Sequence, residues 1–444
     1  MNKHMRKAFF ICTLLLSGNV FAQSGPVRSY LDIISIALKN NYDIELARNN
    51  TRIAAAQNTA GAAGMLPRLD INANGNKASN DTKQDFSSGL TVNQKGVQSE
   101  TVAAGAYLTW TVFDGLKMFA TKERLKLLEQ QSELSLRLQV ETTIEEVTLY
   151  YYQVVKQQQL INGIEASMSV SDERIHIADK KLTLGSGSNV ELLQARLDMN
   201  ALKSDWITQR YILNEYKNNL MVLIKEQPDT SFTVDTNFEF APIASMEHIR
   251  EMVERNNTSI ALAGKNVLVY DQTIRELRSQ TMPKLALNTN YVFSRNSNAA
   301  GFTLLNQNTG LNYGFTFTWN LFNGLNTRNQ VKVAKLQTDN ARLQFDQTKL
   351  SVSAAALSAY TRWVGDREIM TLEEENILLA RQGLFIATER ERLGLGNYLE
   401  TKQSQSSFQD AITRLVNARY NLKQSEMALR RLSGSLTRDS SLAK

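Results

Sequence analysis

Every second position is apolar in four short segments of the chain. These segments are 68–76, 102–112, 284–293 and 311–321. A period of two predicts β-strands with one apolar face and one more polar face. The four segments form two pairs, and the connections within the pairs, 80–100 and 297–308, are rich in Asn, Ser, Thr and Gln. The pattern therefore predicts two β-hairpins with solvated loops.

Most of the remaining chain follows a helical period. Apolar residues are spaced for a helix over about 31–64, and a stripe with alternating steps of four and three runs through 140–168 and 192–223. A sustained spacing of 3.5 residues predicts helices that supercoil around partners, although an ordinary buried helix face would give the same pattern over a shorter length. A helix over 115–183 would be about 100 Å long.

The sequence indicates two copies of one structural unit. Pro67 corresponds to Pro283, 216 residues later, and the motif Trp-x-x-Phe-[Asp/Asn]-Gly that ends at Gly115 recurs 209 residues later, ending at Gly324. We expect these four residues to mark junctions between helices and strands, because proline ends a helix and glycine permits a positive φ. The internal repeat predicts one twofold-repeated protomer rather than several unrelated domains.

The expected organisation has five parts. They are a signal peptide at 1–22, a first repeat at 23–224, an equatorial segment at 225–245, a second repeat at 246–433 and a tail at 434–444. The first repeat is predicted to contain a helix, a hairpin at 67–113, a long helix at 115–183 and a helix at 189–224; the second repeat is predicted to contain a helix, a hairpin at 283–322, a long helix at 324–392 and a helix at 398–433. We expect the two shorter helices of each repeat to stack end to end along the long one.

Composition limits the chemistry of the chain. Residues 1–22 have the basic start, short apolar stretch and small residues of a secretory signal peptide, and they contain Cys12, the single cysteine. The mature chain would then have no disulfide and no Cys-based site. The formal net charge of +6 includes three signal-peptide cations, so the remaining excess gives no support for nucleic-acid binding. No apolar run of 18 residues predicts a helical membrane span.

Catalytic and cofactor motifs are not found in the sequence. His176 and His248, the histidines of the predicted mature chain, have no partner at a catalytic or metal-binding spacing. The Gly-Ser-Gly segment at 185–187 links two helices, which is the wrong context for a phosphate-binding loop. We therefore expect no enzyme activity, no cofactor and no metal.

The predicted strands fit a transmembrane β-barrel that one chain cannot close. A strand of about 9–11 residues with one apolar face can cross a bilayer, but an open sheet edge in lipid leaves backbone groups unpaired. Three chains with four strands each would give twelve, a number found in such barrels. A soluble β-sandwich at the end of a coiled coil is the alternative interpretation.

At this point the sequence resembles the TolC-like outer membrane factors. The resemblance covers the whole predicted mature chain and is carried by the Asn-Asn pairs at 40–41 and 256–257, the junctions at Leu66-Pro67 and Met282-Pro283, the Trp-x-x-Phe-[Asp/Asn]-Gly motifs and the turn at 187–195. It implies a homotrimer in the cell outer membrane, with a 12-stranded β-barrel in the lipid and an α-helical tunnel in the periplasm. It further implies a passive exit duct for efflux or type I secretion, joined by a periplasmic adaptor to an inner-membrane pump. A periplasmic coiled-coil tether without channel activity is the alternative function.

The resemblance also implies two sites in the turns far from the hairpins. The turns expected to meet the adaptor contain Leu184, Gly185, Ser186, Gly187, Leu393, Gly394, Leu395 and Gly396. The residues expected at the periplasmic constriction are Glu191, Gln194, Glu400 and Gln403, with Glu400 as the group that selects cations. The alternatives are that glycine only permits the chain reversal and that the glutamates are solvated charges at helix starts.

Overall fold

The computed structural model of the chain describes residues 27–300 and 303–437. The predicted signal peptide at 1–22 and residues 438–444 of the predicted tail lie outside these ranges. The first half contains β1 (Val27–Arg28), α1 (Tyr30–Asn40), α2 (Tyr42–Gln57), β2 (Arg68–Asp85), β3 (Thr91–Phe113), α3 (Lys117–Thr183), α4 (Asn189–Leu223) and β4 (Thr233–Val234). The second half contains α5 (Met246–Asn256), α6 (Thr258–Arg278), a 3-10 turn (Ser279–Thr281), β5 (Lys284–Asn298), β6 (Leu305–Thr318), α7 (Asn326–Arg392) and α8 (Tyr398–Leu432).

The prediction of one helix over 31–64 is wrong, because Asn41 divides it. Asn41 has a non-helical backbone, with φ −54° and ψ 134°. Its Oδ1 accepts hydrogen bonds from the amides of Asp43 and Ile44, which begin α2, while its Nδ2 donates to the carbonyl of Leu223. Asn257 divides the corresponding helix of the second repeat in the same way and donates to the carbonyl of Leu432. An asparagine that caps one helix while bonding to another element competes with helix continuation.

The prediction of solvated loops at 80–100 and 297–308 is also wrong for most of those residues. β2 and β3 pair in antiparallel register from Arg68 with Thr109 out to Asp85 with Thr91, so 86–90 alone forms the turn. In the second hairpin, pairing continues out to Ser297 with Leu305. Polar residues there occupy both faces, so the hydrophobic pattern ends although the backbone ladder continues.

The four long strands form one antiparallel sheet in the order β2-β3-β5-β6. β6 ends at Thr318, opposite Lys284, whereas the sequence predicted a hairpin to 322. The last residues have no strand partner because β5 begins only after Pro283. β2 and β6 are the two outer strands of this sheet, and each has an unpaired edge in the single chain.

The long helices begin at Lys117 and Asn326, two residues after the glycines predicted to start them. Each glycine and the leucine after it adopt a positive φ: 72° at Gly115 and 70° at Leu116, 69° at Gly324 and 65° at Leu325. A bulky residue at a positive φ is uncommon and costs conformational energy. The chain therefore makes a strained turn between strand and helix at the same place in both repeats.

The two long helices organise the helical part. α3 packs against α1, α2 and α4 of its own repeat and against α6 and α8 of the second repeat, while α7 packs against α5, α6 and α8. The larger apolar core lies where α1, α3 and α4 meet residues 232–238 and includes Tyr151, Tyr152 and Leu220. β1 and β4 pair in parallel beside this core. Because β4 belongs to the equatorial segment at 225–245, the pairing holds the start of the described chain against that segment. None of the helices in the described ranges combines the length and the apolar character needed to cross a membrane.

Candidate functional site

The turns at the far ends of the helix pairs have the same geometry in both repeats. In the first, Gly185 has φ +73° and the amides of Ser186 and Gly187 donate to the carbonyl of Lys181, each at 2.9 Å. In the second, Gly394 has φ +74° and the amides of Leu395 and Gly396 donate to the carbonyl of Arg390 at 2.8 and 2.9 Å. Such closures satisfy the last carbonyls of the long helices. Leu184, Leu393 and Leu395 are exposed on these turns.

The residues predicted for a constriction lie near the starts of α4 and α8. Glu400 lies 3.3 Å from Arg390, across the second turn, and its amide is capped by Asn397. Gln403 is exposed. Glu191 lies in the first turn of α4, and Gln194 donates a hydrogen bond at 3.1 Å to Asp198, one turn further along the same helix.

A buried arginine instead connects the two repeats behind the turns. Arg174 of α3 is 2% exposed, and its Nη1 donates to Oε1 of Gln405 on α8 at 2.7 Å. The Nε2 of Gln405 donates to the carbonyl of Ser167 and to Oγ of Ser171, both at 2.8 Å. The Nε and Nη2 atoms of Arg174 have no hydrogen-bond partner among the described residues. A buried cation with unsatisfied donors is costly unless a nearby charge compensates it.

Asp198 of α4 supplies that charge. Its carboxylate lies 3.7 Å from Nη2 of Arg174, accepts a hydrogen bond from the hydroxyl of Tyr398, and pairs with Nζ of Lys402 at 2.9 Å. The guanidinium carbon of Arg174 also lies 4.4 Å from the centre of the Tyr398 ring. We call Arg174, Asp198, Tyr398, Lys402 and Gln405 the tip cluster. It joins α3 and α4 of the first repeat to α8 of the second.

The pKa values of two members reflect this arrangement. Burial alone would raise the pKa of Asp198, but the hydrogen bonds from Tyr398, Lys402 and Gln194 together outweigh burial and lower the pKa below its ordinary value. Burial, and then the hydrogen bond to Asp198, raise the pKa of Tyr398 to about 12. At neutral pH the carboxylate is therefore ionised and the phenol is protonated, which is the pair of states that their hydrogen bond requires.

Sequence reasoning missed the tip cluster, although one signal was available. Ser167, Ser171, Arg174 and Ala178 are all buried and continue the alternating steps of four and three along α3. An arginine with two serines in a core stripe indicates a buried polar contact. Its partner on α8 is 231 residues away in the sequence and could not be identified from spacing.

The architecture can now be compared with known proteins. The sequence profile of the family described as "Outer membrane efflux protein" matches residues 33–224 and 249–435. The chain belongs to the outer membrane efflux protein family. The unmatched residues between the two ranges, 225–248, contain the equatorial segment. Within the described residues, no group of three or more His, Cys, Asp or Glu side chains could hold a metal ion.

Relatives in the outer membrane efflux protein family align over nearly the whole chain. The chain is 19% identical to the outer membrane protein TolC of Escherichia coli K12, over 97% of this chain and 86% of TolC. It is 20% identical to the outer membrane efflux protein BepC of Brucella suis biovar 1, over 98% of this chain and 91% of BepC. The crystal structure of the Campylobacter jejuni CmeC outer membrane channel superposes with a TM-score of 0.75 at 20% identity, covering 91% of this chain and 86% of CmeC. The mainly helical fold with a four-stranded sheet is therefore the fold of these channels.

Proposed function

We propose that this chain forms the outer membrane exit duct of a tripartite efflux pump or a type I secretion system. Three copies would build a passive channel, with a 12-stranded barrel in the lipid and a helical tunnel in the periplasm. The observation that carries the proposal is the open four-stranded sheet, which has one apolar face and two unpaired edges. Such a sheet is incomplete in a bilayer and is completed by further copies of itself.

The apolar face of the sheet supports a lipid contact. Tyr313, Phe315 and Phe317 alternate along β6 and are exposed in the single chain, and they pair across the sheet with residues such as Leu285 and Leu287. An exposed apolar surface of this extent is unfavourable in water and typical of a membrane or protein interface. The opposite face carries polar residues, as the inside of a water-filled barrel would.

Exposed leucines on α7 support association between copies along the helices. Leu336, Leu343, Leu350 and Leu357 are spaced by seven residues and are between 55% and 73% exposed. On α2, Leu46 and Ile53 are also seven residues apart and exposed. A heptad of unpartnered apolar residues is the pattern of a helix that packs against another helix. We propose that α7 of one copy packs against α2 of the next.

The tip cluster would hold the periplasmic end of the tunnel in a narrow state. Because it ties α8 to α3 and α4, an outward movement of the α7–α8 pair would break the bonds among Arg174, Asp198 and Tyr398. The exposed turns at 184–187 and 393–396 lie directly beyond the cluster. We propose that a periplasmic adaptor docks on these turns. Its binding energy would offset the free energy by which the tip cluster stabilises the narrow state. Glu400 from three copies would form a charged ring beside this constriction, since it begins the same helix.

Membrane fractionation with an assay of assembly tests this function. We expect the chain to be released from membranes only by detergent and to migrate as a trimer before heating. Deletion of its gene should make the bacterium more sensitive to toxic compounds. Leu343→Lys with Leu350→Lys should shift the trimer to monomer, whereas Leu184→Lys, an exposed leucine outside the proposed interface, should not. A chain recovered in the soluble periplasmic fraction would contradict the duct and favour a tether.

A further inference from the structure

A groove with an apolar part and a cationic part lies where the sheet meets the helices. Its apolar part is a cavity of about 360 Å³ between α3 and α6, lined by residues that include Leu116, Phe119 and Met282. Its cationic part is a cavity of about 370 Å³ between α6 and α7. Arg275 and Arg278 line both cavities, so the two parts are adjacent. We call the combined feature the rim groove.

The rim groove and the polar face of the sheet lie on different sides of α3. A separate cavity of about 620 Å³ is lined by Lys284 and Thr318, which pair on the polar face, together with Lys117 and Arg124 of α3. Positions 117, 121 and 124 of α3 line that polar-side cavity, whereas positions 116, 119, 120 and 123 line the rim groove. The two sets lie on different sides of α3, roughly a third of a turn apart, and Ser279 and Met282 line both cavities. The groove therefore opens mainly on a different side of α3 from the polar-side cavity.

The cations of the rim groove exceed its anions. Arg342 lies 3.6 Å from Asp271 and 3.4 Å from Asp339, which uses both acids that line the cationic part. The side chains of Arg275, Arg278 and Lys335 make no hydrogen bond or ion pair with the described residues. Glu123, which lines the apolar part, is the remaining acid, so four cations face three acids in the whole groove and two acids in its cationic part. This excess of cations favours an anion, and arginine in particular matches the oxygens of a phosphate.

The apolar part of the groove is built with strain and contains an unsatisfied polar atom. Leu116 adopts φ 70° and remains 54% exposed beside Phe119, which is 59% exposed. Strain that leaves a leucine in water is unfavourable unless an apolar partner covers it. The buried Oε1 of Gln272, which also lines this part, accepts no hydrogen bond from the described residues. A ligand with an acyl chain and a hydroxyl donor would satisfy both groups.

The internal repeat shows that the fold does not require these arginines. The positions 216 residues earlier, aligned by Pro67 and Pro283, are Thr59 for Arg275 and Ala62 for Arg278. The second repeat makes the same strained junction at Gly324 and Leu325, and the first-repeat positions that correspond to Arg275 and Arg278 carry no cation. The strained junction therefore does not by itself require the two arginines, which line only the junction at Gly115 and Leu116.

We propose that the rim groove binds an anionic glycerophospholipid from the leaflet at the periplasmic end of the strands. The phosphate would lie among Arg275, Arg278 and Lys335, and an acyl chain would cover Leu116, Phe119 and Met282. The cationic part of the groove lies next to its apolar part, as the phosphate headgroup of a lipid lies next to its acyl chain. This inference rests on the proposed membrane placement of the sheet.

Native mass spectrometry of the purified full-length chain in detergent tests the site. Phosphatidylglycerol, phosphatidylcholine and inorganic phosphate are titrated against the wild type, against Arg275→Gln with Arg278→Gln, and against a control with Arg250→Gln and Arg381→Gln, two exposed arginines distant in sequence from the groove. We expect the wild type and the control to prefer phosphatidylglycerol. The groove variant, which lacks two cations, should bind it about 25-fold more weakly, since each cation near a lipid surface contributes about fivefold. Phe119→Asn should weaken both lipids alike.

Each outcome supports or overturns the lipid site. An unchanged preference for phosphatidylglycerol in the groove variant would overturn it. Inorganic phosphate that binds as well as phosphatidylglycerol would also overturn it, because the groove would then be a plain anion site. If the wild type forms conducting trimers in either case, the lipid site fails and the duct stands. If the chain does not enter membranes at all, both proposals fail.

Discussion

The hydroxyl of Tyr398 donates a hydrogen bond to Oδ2 of Asp198, and the two residues belong to different repeats. Asp198 lies on α4 and Tyr398 is the first residue of α8. This bond therefore joins the α3–α4 pair to the α7–α8 pair near the turns that connect the helices of each pair. Lys402 and Arg174 add positive charge on either side of the same carboxylate. In our account this contact keeps the periplasmic end of the duct narrow until an adaptor binds.

The pH dependence of the closed state follows from the pKa values in the tip cluster. The pKa of Asp198 is lowered in the folded chain, so its stabilising effect is complete above the ordinary aspartate pKa and is lost as the pH falls through the lower, folded value. The pKa of Tyr398 is raised to about 12, so its hydrogen bond is lost only as the pH rises through that value. Channel conductance should therefore stay low and constant between about pH 5 and about pH 9. A conductance that rises steadily from pH 7 to pH 5 would show that another group controls the state.

Removing the buried arginine should loosen the turns. Arg174→Ala leaves Asp198 and Gln405 without their shared partner, and breaking a buried pair costs about 3 kcal/mol. Amide hydrogen exchange in 182–192 and 393–402 should accelerate roughly 100-fold, because each 1.4 kcal/mol corresponds to a factor of ten. Arg196→Ala, an exposed arginine on α4, serves as the control and should leave these rates unchanged. Equal exchange in Arg174→Ala and the wild type would mean that the cluster does not stabilise the turns.

The two turns should differ in their tolerance of a methyl group. A Cβ at Gly187 would lie 2.7 Å from Cβ of Lys181 and 2.9 Å from the amide nitrogen of Leu182, whereas a Cβ at Gly396 would lie 3.1 Å from its nearest atoms. Gly187→Ala should destabilise its turn by about 1–3 kcal/mol and Gly396→Ala by less. Limited proteolysis of the turns measures this directly. Faster cleavage in Gly396→Ala than in Gly187→Ala is the opposite of what we expect.

Ion selectivity should depend on the second repeat. Glu400→Gln removes the proposed ring of three carboxylates and should reduce the preference for cations over anions in bilayer recordings with a salt gradient. Glu191→Gln changes the corresponding residue of the first repeat and should have little effect. Because Glu400 also pairs with Arg390, part of its charge is already compensated, so we expect a reduction of about twofold rather than a reversal. Identical reversal potentials in Glu400→Gln and the wild type would exclude Glu400 from the constriction.

The period of the hydrophobic pattern identified helices and strands wherever one face of the element is apolar. The stripe over 140–168 lies on α3, and Ile144, Val147 and Tyr151 in it are buried as the spacing indicates. The same method failed at 80–100, because strands that are polar on both faces carry no hydrophobic signal. It also failed at Asn41, because one capping residue can end a helix without disturbing the apolar spacing on either side.

The contacts of the tip cluster could not be predicted from a single sequence. Its members come from both repeats, and nothing in the spacing along either one indicates that Arg174 and Gln405 meet. The predicted pair of Glu400 and Gln403 rested on resemblance alone, and neither belongs to the cluster. The doubled Asn-Asn near the start of each copy contains Asn41 and Asn257, which divide the two helices, although the hydrophobic spacing predicted one helix through the first pair.

Single-channel recording of the purified chain in planar bilayers tests the central claim most directly. The wild type should insert as a channel of small, stable conductance. Tyr398→Phe should raise the open fraction about tenfold or more, because a hydrogen bond to a charged group contributes about 1.5–3 kcal/mol. Tyr211→Phe, which changes an exposed tyrosine of α4 outside the tip cluster, should behave as the wild type does. A chain that forms no channel, or a Tyr398→Phe channel that cannot be distinguished from the wild type, would contradict the account.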